Sequence, residues 1–200
     1  MLLLAGLAFT IGSVRAQNVD RLIADLSSPK VAVRADAAEA LAHTKNKRAL
    51  PALIRAMGDP VASVRGQAVR AAAAIADKSS VPLLLDGLRN RNANRRVGAI
   101  TVLSLLGDRR AEPALTEATR DHNAAVRAAA TQALGSLGDT RSLPALRARL
   151  QDSDRRVRLK AVNALGGLRD PQAARSLLPL LHDPDRTIQS STAVALAQTG

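Results

Sequence analysis

A 31-residue repeat extends through nearly all of this 200-residue chain. The repeat is clearest in a two-residue signature, an aliphatic residue followed by arginine. Six pairs share the spacing: four match the signature, Val33-Arg34, Val64-Arg65, Val126-Arg127 and Val157-Arg158, and two depart from it at one residue each, Arg95-Arg96 and Ile188-Gln189. No insertion or deletion separates the copies, so each copy is expected to form the same local structure.

Within each copy, the apolar residues indicate two α-helices. Counted from the first residue of the pair, apolar side chains recur after 4, 7, 8 and 11 residues, which places them on one face of a helix. We call this helix B. A preceding helix A carries a leucine column: Leu53, Leu84, Leu115, Leu146 and Leu177. One such pair cannot bury its apolar face alone, but stacked pairs can.

The residues between the helices predict their ends. Helix B is followed by Gly107-Asp108 or Gly138-Asp139, where glycine suits a left-handed residue and aspartate can cap the next helix. Prolines 51, 82, 113 and 144 fall in the first turn of helix A. Asp59-Pro60 and Asp183-Pro184 predict the start of helix B as an N-cap followed by proline at the first helical position.

The pattern predicts an all-α chain of about six stacked antiparallel helix pairs. The boundaries lie approximately at 17–46, 47–77, 78–108, 109–139, 140–170 and 171–200. The chain has no Trp or Tyr and a single Phe, so its core must be built from Ala, Leu and Val. Small aliphatic side chains of this kind suit helices that pack closely on helices.

The stretches ALPALIRAMGDPVASVRGQAVRAAAAI and SLPALRARLQDSDRRVRLKAVNALGGLRD resemble HEAT repeats, especially the short repeats of phycobilisome lyases. The resemblance covers residues 18–200 and implies a right-handed α-solenoid. The resemblance gives almost no information about function, because the same fold occurs in scaffolds, lyases, hydroxylases and glycosylases.

The resemblance also implies a structural role for the arginine column. In HEAT repeats the helix-B arginine and a turn aspartate form a hydrogen-bonded ladder between neighbouring repeats, a role that suits the guanidinium fork. The matching residues are Arg34, Arg65, Arg96, Arg127 and Arg158, with Asp59, Asp121, Asp152 and Asp183. Ser28 and Asn90 interrupt the aspartate column, and Gln189 interrupts the arginine column. Five phosphate-binding arginines are the weaker alternative.

The B helices of HEAT proteins line the concave face, so their outward positions are candidates for contact with a partner. These candidates are Asp36, Glu39, His43, Gln67, Arg70, Thr101, Gln132, Lys160 and Asn163. Their acids and bases balance, which predicts a polar, neutral groove. A nucleic-acid groove is expected to be positive and to offer aromatic rings for stacking.

The net charge of +12 therefore lies at the edges of the array. Arginines are concentrated in RNRNANRRVG, residues 89–98, where Arg95 replaces the valine of the repeat. Arg89, Arg91 and Arg95 could contact a partner, or this copy has lost its regularity. The stem of Arg95 could lie on the core, or the first turn of its helix could be loosened. We interpret the basic edge as a solvated rim that keeps the array soluble. The alternative is that the edge binds an anionic surface or nucleic acid.

Residues 1–16 are predicted to be a signal peptide. Residues 2–14 are almost wholly apolar, and Val14-Arg15-Ala16 is an acceptable cleavage site, although no basic residue precedes the apolar run. Export would place the protein in the bacterial periplasm or outside the cell. The alternative is an uncleaved segment that anchors the chain, and if the segment is not a signal, the expected location is the cytoplasm.

The sequence offers no recognisable catalytic or cofactor site. Cysteine is absent, and His43, His122 and His182 lack both the following glutamate of a di-iron hydroxylase and metal-ligand spacing. We therefore expect a monomeric, non-catalytic scaffold that binds another protein, with no cofactor and no transmembrane span. The alternatives are a subunit associated with a bilin lyase and a binder of nucleic acid or anionic surfaces.

Overall fold

The computed structural model describes residues 18–199, and all regular structure within this range is helical. The described residues form two compact units, which are divided in the sequence between Asp77 and Lys78. In the first unit, residues 18–25 form α1, followed by three more helices: α2 (Val31–Thr44), α3 (Leu50–Ala56) and α4 (Ala62–Ile75). The predicted signal peptide, residues 1–16, lies outside the described residues.

The second unit holds the remaining eight helices of the described range. In chain order they are α5 (Val81–Gly87), α6 (Ala93–Leu106), α7 (Glu112–Ala118), α8 (Ala124–Leu137), α9 (Leu143–Arg149), α10 (Arg155–Leu168), α11 (Pro171–Leu177) and α12 (Arg186–Thr199). The predicted all-α architecture is confirmed. Helix B is α2, α4, α6, α8, α10 and α12, and each of these spans 14 residues.

Helix A is shorter than helix B and is entered through a 3-10 turn. In four repeats the turn takes three residues and the α-helix seven, with proline at the second helical position. The last repeat reverses this order. Because Pro171 directly follows the capping Asp170, α11 starts at once, and the 3-10 segment Leu178–His182 comes after it.

The core of each unit is formed by the columns that the repeat aligns. All five leucines of the helix-A column are fully buried, as are Val64, Val126, Val157 and Ile188 of the helix-B column. Neighbouring B helices pack directly on each other, α2 on α4 in the first unit and α6, α8, α10 and α12 in series in the second. Alanine and glycine at these contacts allow the close approach that larger side chains would prevent.

The predicted start of helix B is wrong by two residues. Helix α4 begins at Ala62 with Val61 at the N-cap, so Asp59-Pro60 lies in the turn before the helix. The carboxylate of Asp59 accepts a hydrogen bond from the Val61 N–H at 2.8 Å and so stabilises that turn. From the third repeat onward, the residue two positions after this turn residue caps helix B with its side chain. Asn123, for example, accepts a hydrogen bond from the Ala125 N–H at 2.9 Å.

Helix B ends at a left-handed residue in four repeats. Gly107 and Gly138 have φ of 61° and 65°, and this region is open to glycine without steric cost. Lys45 and Arg169 occupy the same place with φ of 53° and 50°. These two residues carry a side chain in a conformation that costs a residue other than glycine about 1 kcal/mol.

Replacing Arg169 by glycine should therefore stabilise the second unit. We expect Arg169→Gly to raise the free energy of unfolding by about 1 kcal/mol, because the strain at φ of 50° disappears. Urea denaturation followed by circular dichroism measures the change. The matched substitution Gly138→Arg should lower the stability by a similar amount, and equal stability of all three proteins would contradict the argument.

Candidate protein-binding face

The ladder arginines connect neighbouring repeats within each unit through a bidentate ion pair. Arg127 Nε and Nη2 donate to the two carboxylate oxygens of Asp152 at 2.8 and 2.7 Å. Its Nη1 donates to the carbonyl oxygens of Asp121 and His122 at 3.0 and 3.2 Å. One guanidinium thus fixes its own turn and the turn of the next repeat at the same time. The same geometry occurs in the pairs Arg34–Asp59, Arg96–Asp121 and Arg158–Asp183.

Two members of the column form hydrogen bonds only to the backbone carbonyls of their own turn, and none to a carboxylate of the next repeat. Arg65 Nη1 donates to the carbonyls of Asp59 and Pro60 at 2.9 and 2.8 Å, and Gln189 Nε2 donates to the Asp183 carbonyl at 2.8 Å. Hydrogen bonds to these backbone carbonyls therefore occur throughout the column, whereas the ion pair with the next repeat requires both an arginine and an aspartate.

The ladder aspartates are charged although they are poorly accessible. The Asp152 side chain is 3% exposed, and burial raises its pKa. Hydrogen bonds from Arg127 and from the Asp154 N–H outweigh that effect, so the pKa of Asp152 lies below its ordinary value. The pKa of Arg127 is raised chiefly by the same hydrogen bond to Asp152. The ladder therefore consists of ion pairs at neutral pH.

A second set of ion pairs, which the sequence analysis missed, neutralises much of the basic edge. Asp108 accepts from Arg110 Nη2 at 2.6 Å, and Asp139 accepts from Arg141 Nη2 at 2.7 Å. Arg110 Nη2 also reaches the Lys78 carbonyl of the preceding repeat at 2.7 Å. Further pairs at the edges are Lys47–Asp77, Arg48–Asp20, Arg120–Glu117, Arg155–Asp185 and Arg156–Asp154. The available signal was the recurring Asp-x-Arg spacing at residues 108, 139 and 154.

These carboxylates predict a loss of stability in acid. Hydrogen bonds from Arg110, Arg141 and Arg156 lower the pKa of Asp108, Asp139 and Asp154 to about 2, from an ordinary value of 3.8. Because the pKa values are lower in the folded state, the stabilisation is complete above about pH 4 and is lost as the pH falls through about 2.

We therefore expect the melting temperature to fall steeply between pH 4 and about pH 2 at constant ionic strength. Thermal denaturation followed by circular dichroism across this range tests the prediction. Asp139→Asn should make the dependence shallower, because one of the titrating carboxylates is removed. A melting temperature that stays constant down to pH 2 would refute the role of the ion pairs.

The helix-B face of the first unit carries a hydrogen-bonded polar row. Asp36, Glu39, His43 and Arg70 are exposed, and Gln67 is half-buried. Gln67 Nε2 donates to Glu39 Oε2 at 3.2 Å, and its Oε1 accepts from Arg70 Nε at 3.2 Å. The row joins α2 to α4 on their surface, and its charges are partly balanced by each other.

The helix-B face of the second unit differs, because it is rich in amides and small residues. Gln132 and Asn163 are exposed, whereas Thr101 and Lys160 are half-buried. Thr101 Oγ1 donates to the Val97 carbonyl at 2.9 Å and so stays close to its own helix. Two apolar side chains on this face are also open to solvent, Leu105 at 68% and Val194 at 60%.

Two depressions lie between the B helices of the second unit. The first, about 320 Å³, is lined by Gln132, Gly135, Ser136, Lys160, Asn163, Ala164 and Gly167. The second, about 450 Å³, is lined by Asn163, Gly167, Ser190, Ser191, Val194, Ala195 and Gln198. They share Asn163 and Gly167. Three of the predicted contact residues, Gln132, Lys160 and Asn163, thus surround the same depression.

The arginine-rich segment of the third repeat forms a regular turn and helix start. Arg96 is 5% exposed and pairs with Asp121, while Asn90 and Asn92 accept backbone hydrogen bonds as the aspartates do elsewhere. Helix α6 begins at Ala93, in register with the other B helices, so its first turn is not loosened. Arg95 is half-buried, whereas Arg89 and Arg91 are exposed.

The described residues contain no other arrangement that suggests chemistry. His43, His122 and His182 are exposed, and residues 18–199 hold no group of three His, Cys, Asp or Glu side chains that could bind a metal ion. Within the same range, no helix combines the length and the apolar character that crossing a membrane requires.

The stacked helix pairs and their arginine ladder define an all-α helical-repeat solenoid. A family model of HEAT repeats matches residues 19–104, 81–158 and 144–200, which together cover most of the chain. The chain belongs to the HEAT-repeat family. No curated protein matches it.

Solved structures of other repeat proteins share the fold. The CpcE–CpcF complex of phycocyanin lyase from Nostoc sp. PCC7120 is 26% identical, with a TM-score of 0.58 over 87% of this chain and 74% of that one. A designed armadillo repeat protein in complex with the peptide (KR)4 is 17% identical, with a TM-score of 0.61 over 90% and 98%. Human deoxyhypusine hydroxylase is 20% identical, with a TM-score of 0.52 over 90% and 84%.

Proposed function

We propose that this protein is a non-catalytic scaffold that binds another protein through its helix-B face. The observation that carries the proposal is the contrast between two sets of polar residues. The side chains of the ladder arginines and aspartates form hydrogen bonds within the fold, whereas those of Gln132, Asn163 and Lys160 surround an open depression. Side chains that converge on a surface depression without contributing to the fold are suited to a partner.

The fold is consistent with this role. Stacked repeats offer a long surface with one row of side chains from each repeat, and helical-repeat proteins use such surfaces for binding. The designed armadillo repeat protein holds the peptide (KR)4. For the present chain we propose a protein partner and a monomeric state, without a cofactor.

Photo-crosslinking from defined surface positions tests the proposal. We would place p-benzoylphenylalanine at Glu39 or Asn163 on the helix-B face, and at Glu117 in α7 as a helix-A control. All three positions are exposed, so the substitution should not disturb the fold. A discrete adduct of one or a few proteins from the helix-B positions alone is the expected result. Equal adducts from all positions, or none from any, would contradict the proposal.

Export is a further part of the proposal. It rests on the apolar residues 2–14 and the small-x-small site before Gln17. Fractionation should find the protein in the extracytoplasmic fraction with Gln17 as its first residue. A cytoplasmic protein that retains residues 1–16 would overturn this part and leave the binding role standing.

The likeness to the CpcE–CpcF complex favours a second candidate, an accessory subunit of a bilin lyase. This candidate predicts a cytoplasmic protein that co-purifies with a bilin or a phycobiliprotein, which an absorption spectrum of the purified protein would detect. Binding of nucleic acid through the edge is less favoured, because so many edge arginines pair with neighbouring aspartates. That binding should weaken roughly 10³-fold between 50 and 200 mM salt if six or more phosphates are contacted.

A further inference from the structure

Lys160 differs from Arg34, Arg127 and Arg158, the half-buried ladder arginines that pair with an aspartate, because no carboxylate accompanies it. It lines the first depression, and it has no ion pair or side-chain hydrogen bond among the described residues. Helices α8, α10 and α12 contain no acidic residue at all. A half-buried ammonium group gains from a nearby carboxylate, since a charge-assisted hydrogen bond offsets the hydration that burial removes.

The two depressions of the second unit form one groove across α8, α10 and α12. Asn163 and Gly167 line both of them, so the two volumes meet at these residues. A Cβ atom placed on Gly167 would meet no heavy atom within 4 Å, so the missing side chain leaves open space rather than permitting a helix contact. Glycine at this position keeps the groove continuous.

The polar groups along this groove match an extended polypeptide. Gln132, Asn163 and Gln198 each offer an amide that can donate and accept hydrogen bonds, as a peptide backbone requires. An extended chain advances about 3.3 Å per residue, so about three residues cover the roughly 10 Å between packed helices. Neutral amides can bond a peptide backbone whatever the peptide sequence. Lys160 alone adds a charge, which can select a particular side chain of the peptide.

We infer that this groove binds an extended segment of a partner protein and that Lys160 pairs with an acidic side chain of that segment. This inference rests on the proposed function and names the chemistry of the partner. The helix-B face of the first unit does not provide such a site, because Glu39, Gln67 and Arg70 are bonded to one another. The acidic residue is therefore expected to bind to the second unit.

Selection from a random octapeptide library with the full chain as bait tests the inference. The selected peptides should share one Asp or Glu, and changing it to Asn or Gln should weaken binding to the wild-type protein about tenfold, the loss expected for one charge-assisted hydrogen bond. With Lys160→Gln the same change in the peptide should have almost no effect, because the two groups act as one pair. Fluorescence anisotropy of labelled peptides measures each affinity.

Two controls separate the groove from the general positive charge. Lys78→Gln removes the same charge from an exposed position at the edge, and it should preserve the tenfold effect of the peptide acid. Gly167→Leu should fill the groove and abolish binding, whereas Gly167→Ala should fold and bind nearly as the wild type does. Circular dichroism confirms that each variant is folded.

Three results would overturn the inference. They are the failure to select any peptide, selected peptides without a common acid, and an acid whose contribution is the same in Lys160→Gln and Lys78→Gln. The crosslinking at Asn163 remains independent of these results. A protein adduct at Asn163 together with an acid-independent groove would keep the proposed function and reject the role of Lys160.

Discussion

Arg127→Ala should lower the free energy of unfolding by about 2–4 kcal/mol. The substitution removes four hydrogen bonds, two to the Asp152 carboxylate and two to backbone carbonyls. It also leaves Asp152, with a side chain only 3% exposed, with Arg149 Nη1 at 3.3 Å as its ion-pair partner and the Asp154 N–H at 3.0 Å as a further donor. Loss of one partner from a buried ion pair is costly because the remaining charge has lost its hydration without compensation.

Urea denaturation measures this loss, and Arg120→Ala provides the control. Arg120 also pairs with a carboxylate, that of Glu117, but the two side chains are 70% and 76% exposed, so its removal should change stability little. Arg127→Lys should restore only part of the loss, because an ammonium group cannot bond the carboxylate and two carbonyls in the planar geometry of the fork. Equal stability of Arg127→Ala and wild type would mean that the ladder does not hold the repeats together.

Gly135→Val should lower the free energy of unfolding by about 1–3 kcal/mol, the usual cost of overpacking a close helix contact. A Cβ atom at this position would lie 2.6 Å from Ala164 Cβ and 2.9 Å from Ala164 Cα. Because one of these atoms belongs to the backbone of α10, no side-chain rotation relieves the clash, and α8 and α10 must separate. Gly166 makes the same kind of contact with Ala195 of α12.

An exchange of the two residues tests the origin of this effect. Gly135→Ala alone should destabilise the protein, and Gly135→Ala combined with Ala164→Gly should recover most of the loss, since the total volume at the contact is restored. Gly167→Ala should instead raise stability by up to about 1 kcal/mol, because alanine favours a helix and no heavy atom lies in its way. If the double variant is no more stable than Gly135→Ala, the close approach does not determine the packing.

The repeat pattern was sufficient to predict the helix pairs, because the period of 31 residues places each apolar column on one helix face. It correctly placed the leucine column in the core and glycine at the left-handed ends of α6 and α8. The start of helix B was wrong, because the same Asp-Pro pair suits an N-cap and a turn that precedes the cap. Local sequence does not distinguish these two uses of an aspartate.

The candidate site could be predicted only in outline. Helical periodicity identified Gln132, Lys160 and Asn163 as outward residues of their helices, and all three line one depression. The depression itself depends on the absence of a side chain at Gly167 and on the distance between neighbouring helices, which no single repeat specifies. The pairing of Asp108 with Arg110 was missed because the aspartate already had an expected role as a helix cap.

By itself, the sequence determined the class of fold and the residues that each repeat buries, because helical period and hydrophobic burial act within a few dozen residues. The tertiary structure decided which charges are compensated and which are left for a partner. Arg127 and Lys160 are both half-buried cations on B helices. The next repeat places Asp152 beside Arg127, but it places no carboxylate beside Lys160. That difference arises between repeats, where side chains far apart in sequence meet.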